Sequence, residues 1–186
     1  MQKILSFAAM LLACCAMCFA QSSSDNSQTS ASGSSADKTF MMKAAQGGQA
    51  EVTMGQLAQQ KGSSDAVKQL GQTLVNDHQT ANQQLQQIAQ QEGAQLPSSP
   101  DPKDQATTDH LQNLNGQQFD QAFLKHAVMD HQKDIKEFQK EADSGKDPQL
   151  KQFAQQQLPT LQKHLQMAQQ AQQSLGSKSS ASSSQQ

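Results

Sequence analysis

The 186-residue sequence contains no arginine, no tryptophan and no tyrosine. Guanidinium forks and stacking aromatics are the usual tools for gripping bases and phosphates, so their absence argues against a nucleic-acid partner. Cysteine is confined to Cys14, Cys15 and Cys18. A chain that begins after Ala20 therefore has no thiol, no disulfide and no cysteine metal site. Long apolar runs are missing beyond the first segment, and a membrane span needs about 20 apolar residues. The mature form is expected to have no transmembrane span. A formal net charge of -2 says little about partners.

What the amino-terminal segment does contain is one charge, Lys3, then an apolar run from Ile4 to about Met17, then the small residues of Cys18-Phe19-Ala20. This is the layout of a secretory signal, assigned to residues 1–20. A second reading stays open. Leu11-Leu12-Ala13-Cys14 resembles a lipoprotein cleavage box, in which Cys14 is the lipidated first residue. Either way the protein is expected to be periplasmic or secreted, with an outer-membrane tether under the second reading.

Residues 21–37 and 176–186 are Ser/Gln-rich without apolar periodicity, and read as a disordered linker and tail. Between them, residues 38–175 carry apolar side chains at three- and four-residue steps, and strand signals are nearly absent. The spacing predicts helices over about Lys38–Lys61, Ser64–Glu92, Gln117–Asp143 and Asp147–Ser174. Pro159 should kink the last of these or divide it after Leu158. Pro97, Pro100 and Pro102 break the chain between the second and third, and a short helix at about Asp104–Leu114 fits inside that connection. Four amphipathic helices point to an all-α four-helix bundle, and the long connection favours a ferritin-like crossover.

Each main helix sets one ionisable residue into its apolar stripe: Glu51, His78, His131 and His164. In the crossover topology all four fall at similar depth. Three imidazoles and a carboxylate could hold one divalent transition metal, Zn, Cu, Fe or Ni, with Asp77 and Asp130 supporting the ligands from behind. The same four residues could instead pair among themselves as a metal-free polar layer that fixes helix register. Val75-Asn76-Asp77-His78-Gln79 is echoed by Val128-Met129-Asp130-His131-Gln132, a weak internal repeat. His110 and His126 are expected at the surface or rim. No nucleophile motif, phosphate loop or paired catalytic carboxylates occur, so no enzyme is expected.

Glu51-Val52-x-x-Gly55-x-Leu57-Ala58, Asp77-His78, Leu114-Asn115-Gly116-x-x-Phe119-Asp120, Asp130-His131-Gln132 and Leu158-Pro159-x-Leu161-x-x-His164-Leu165 form a recurring combination. Over about Phe40 to Leu175 it resembles the bacterial domain-of-unknown-function family 4142, whose members are often labelled outer membrane proteins. The resemblance implies a ferritin-like bundle in the envelope and no established activity, leaving a structural, stress or interaction role as the first expectation. Metal storage, buffering or sensing is the second. A ferritin-type di-iron centre is not expected, because Val75, Val128 and Leu161 stand three residues before the histidines where glutamates would be needed.

Overall fold

The computed structural model describes residues 33–183, so the expected signal, Cys14 and residues 21–32 of the linker lie outside the described residues. Five helices follow in order: α1 Ser35–Lys61, α2 Asp65–Gln91, α3 Pro102–Gln112, α4 Gly116–Ser144 and α5 Pro148–Ser183. No strand occurs among the described residues. Among the described residues no helix is long and apolar enough to cross a membrane.

Local chemistry explains most helix ends. Ser34 opens α1 with a capping box, its hydroxyl accepting from the Asp37 N–H while Asp37 accepts from the Ser34 N–H. Helix α1 thus starts inside the stretch expected to be linker, and Asp37 is buried. Ser64 caps α2 through the Val67 N–H. Asp101 caps α3, with Pro102 in its first turn, where a missing N–H costs nothing. Gly93, at φ +66°, closes α2, with its N–H on the Gln90 carbonyl and the Ala94 N–H on that of Ala89.

Helix α5 runs through Pro159 without dividing. Proline removes the hydrogen bond to the carbonyl four residues back, here that of Gln155. Gln155 and Pro159 are both exposed, so water can take that carbonyl. The helix also continues past Ser174 to Ser183, into the Ser/Gln run.

Two apolar clusters hold the helices together. One joins the second half of α1 (Met54, Ala58), the first halves of α2 (Leu70, Leu74) and α4 (Phe123, Leu124), and Ala168 of α5. The other joins Met41 of α1, Leu85 and Ala89 of α2, Ala142 of α4 and Leu150 of α5. Helices α2 and α4 therefore begin at the same end, and residues 92–115, with α3 among them, return the chain across the molecule. Fully burying each large apolar side chain contributes roughly 1.5–3 kcal/mol. Helices α1 and α2 approach to backbone contact: a Cβ on Gly71 would lie 2.6 Å from the Gly55 carbonyl oxygen.

The buried ionisable residues His78, His131 and His164 fall between these clusters in sequence, and Glu51 sits at the edge of the first, beside Ala50. The apolar core is interrupted at mid-length by a polar layer.

Candidate metal centre

The structure brings three of the four expected residues together. His78 of α2, His131 of α4 and His164 of α5 each offer a ring nitrogen within 4.8 Å of the other two. Their ring centroids stand 5.2–5.9 Å apart. His131 and His164 are each 1 % exposed.

Counting protons shows what this arrangement asks for. His131 Nδ1 lies 2.9 Å from the Ala127 carbonyl oxygen. A carbonyl only accepts, so Nδ1 carries the proton and Nε2 keeps its lone pair. His164 Nε2 lies 2.9 Å from Asp77 Oδ2. An ionised carboxylate also only accepts, so Nε2 carries that proton and Nδ1 keeps its lone pair. These two lone-pair nitrogens, His131 Nε2 and His164 Nδ1, face each other at 3.2 Å. The Nε2 atom of His78 is buried with no hydrogen-bond partner.

A third proton between the two rings would resolve the repulsion by making an imidazolium. The surroundings oppose it. Burial, then the neighbouring His164, pushes His131 down to about 4. Burial lowers His164 even though Asp77 pulls the other way. Burial, with His131 and His164 close by, holds His78 well below the ordinary histidine value. Three neutral imidazoles are what a transition metal needs. Two nitrogens ~2.0–2.1 Å from one tetrahedral ion stand about 3.3 Å apart, close to the spacing present. The backing contacts, a carboxylate behind His164 and a backbone carbonyl behind His131, are the kind that fix tautomer and ring orientation in metal sites.

Glu51 and Asp130 are placed elsewhere. Glu51 Oε1 is 4.0 Å from His131 Nδ1, the nitrogen that does not face His164. Glu51 groups instead with His126 and Asp130, the three offering donor atoms within 4.8 Å of one another. Burial first, then the charges of Asp130 and Asp134, raises Glu51 well above the ordinary glutamate value. Asp134 is pushed up to about 7 by burial and by Asp130.

His126 keeps the rim position expected of it, with one ring nitrogen turned inward. Half-buried, it holds an Nε2 that is shielded and without a partner. Its signal was present in the sequence as His126, Asp130 and Asp134 at four-residue steps, which share one face of a helix. His110 is exposed, as expected.

A cavity of about 410 Å³ is lined by His78 and His164 on one side and by His126, Asp130 and Asp134 on another, with α3 contributing Asp104. Both groups of ligand-type side chains therefore reach one common space, which supplies an entry path for an ion.

No curated protein and no solved structure matches the chain. The family model described as Domain of unknown function (DUF4142) matches residues 21–171, and the chain belongs to that family.

Proposed function

We propose that this protein is an exported metal-binding helical protein that holds one divalent transition ion on His78, His131 and His164, with Asp77 backing His164. The architecture is read as a ferritin-like four-helix bundle with a crossover, the histidine layer at its middle. The single observation that carries the reading is the 3.2 Å approach of two nitrogens whose protons are both committed elsewhere, beside a third buried nitrogen without a partner. Imidazole donors suit Zn, Cu, Fe or Ni. Three protein ligands leave a coordination position open, and His78 and His164 both border the cavity. No nucleophile motif accompanies the centre, so storage, buffering or sensing is preferred to catalysis. Export rests on the charged, apolar and small-residue pattern of residues 1–20, with lipidation at Cys14 as the variant that would tether the protein to the envelope.

The competing reading keeps a proton on His164, between Asp77 and His131, as a metal-free register device. Untagged protein is equilibrated with each of the four ions and dialysed, and the retained metal is counted. The expected result is one equivalent per chain for at least one ion, lost in His78→Ala/His131→Ala. Folded wild-type protein that retains none of them would establish the metal-free layer instead.

A further inference from the structure

Glu51, His126 and Asp130 carry a separate argument. Their donor atoms lie within 4.8 Å of one another. Glu51 is 1 % exposed, yet its Oε1 finds no hydrogen-bond partner. The Nε2 atom of His126 is likewise buried and without one. Two unmatched polar atoms in one small cluster each forgo the hydrogen bond that would offset their desolvation. The balance of charge points the same way. Six carboxyl side chains line the cavity, Asp104, Asp130 and Asp134 among them, against three lysines. Of those lysines, Lys133 has a side chain 61 % exposed and already lies 3.6 Å from Asp130 and 3.4 Å from Asp134.

We propose that Glu51, His126 and Asp130 form a second divalent-cation site, distinct from the three-histidine cluster and selective for a harder ion such as Mn²⁺. Two carboxylates and one imidazole suit Mn²⁺ better than a set of three imidazoles does. Asp104 and Asp134 line the same cavity and, when ionised, supply negative charge along the approach. Helix α4 contributes to both sites from adjacent positions, Asp130 to one and His131 to the other. Side chains one residue apart leave a helix about 100° apart, so the two ligands point to different partners.

The proposal stands on residues other than those of the first site, and the two can fail separately. Untagged protein loaded with one equivalent of Zn²⁺ is titrated with Mn²⁺, and free Mn²⁺ is followed by its paramagnetic resonance signal. One Mn²⁺ bound per chain is expected. Its affinity should fall at least tenfold in Glu51→Gln and in His126→Ala, with the bound Zn²⁺ kept. Where Glu51→Gln fails to fold by circular dichroism, His126→Ala, at a half-buried position, carries the test. His78→Ala/His164→Ala should lose Zn²⁺ and keep Mn²⁺. Folded wild-type protein that binds no Mn²⁺ up to millimolar concentration overturns the second site. So does binding that changes less than tenfold in His126→Ala. Wild-type protein that holds none of the Zn, Cu, Fe and Ni ions but takes Mn²⁺ through Glu51 and His126 would remove the first site and leave the second.

Discussion

Buried carboxylates at the ends of the molecule and buried ionisable groups at its middle look alike by exposure and differ in what surrounds them. Asp120 is fully buried and accepts from the Ser63 N–H at 2.9 Å, the Ser63 hydroxyl at 2.7 Å and the Ser64 N–H at 2.9 Å. It ties the α1–α2 turn to α4. Asp37 accepts from the N–H groups of Ser34, Lys146 and Asp147, tying the α4–α5 turn to α1. At the middle, Glu51 Oε1, His78 Nε2 and His126 Nε2 have no partner at all. Burial of an ionisable group therefore does not mark a binding site. What separates a staple from a site is whether unmatched ligand atoms converge; Glu92 Oε1 and Glu141 Oε1, near Asp37, are also unmatched but join no group of three ligand-type side chains among the described residues.

That contrast is broken most severely at Asp120. Asp120→Ala strips an acceptor from three donors and should destabilise the fold by about 3 kcal/mol. Urea unfolding measures it, and a loss under 1 kcal/mol would mean water satisfies the turn. The middle should respond to metal instead. Zn²⁺ at a hundredfold excess over its dissociation constant should stabilise the wild type by about 2.7 kcal/mol. His78→Ala/His131→Ala should gain nothing in the same melts.

A subtler difference concerns removal of a mid-molecule group without metal. His78→Leu deletes a nitrogen that has no partner and keeps a side chain of similar volume. In metal-free protein it should leave stability within about 1 kcal/mol of wild type or above it, while abolishing the gain from Zn²⁺. A loss above 3 kcal/mol would show that His78 is paired after all.

The smallest effect lies at the Asp37 end, where the carboxyls of Glu92 and Glu141 are left over. Burial, then the charges of Asp37 and Asp147, pushes Glu141 up to about 7 from 4.5. A carboxyl raised on folding contributes its stability in full below pH 4.5 and loses it as the pH climbs through 7. Melting temperature should therefore decline over that window by a few degrees at most, and Glu141→Gln should flatten it. Asp37 works in the opposite sense. Burial would raise it, but the hydrogen bonds it accepts hold it below 3.8, so its contribution is lost only in stronger acid.

Much of this was legible residue by residue. The apolar steps around Leu70, Leu74 and Leu85, the caps at Ser64 and Asp101 and the break at Gly93 act within a few residues of themselves, and the helices form where they should. His78, His131 and His164 sit on apolar stripes, so their inward aim followed from periodicity. Other features depended on distant partners. Asp37 looked like part of a polar linker because the donors that bury it come from residues 146 and 147. The grouping of His126 with Glu51 was not legible, because Glu51, its neighbour in space, lies on another helix.

By itself the sequence determined the helix ends at Ser64, Gly93 and Asp101 and the inward aim of the residues on the apolar stripes, since hydrogen bonding and apolar burial along one helix are settled locally. Only the tertiary structure decided which inward residues share a centre: how far each helix slides and turns against its neighbours follows from side-chain interlock across the core. That interlock set His131 and His164 nitrogen to nitrogen, and gave Glu51 to His126 and Asp130 rather than to the three histidines.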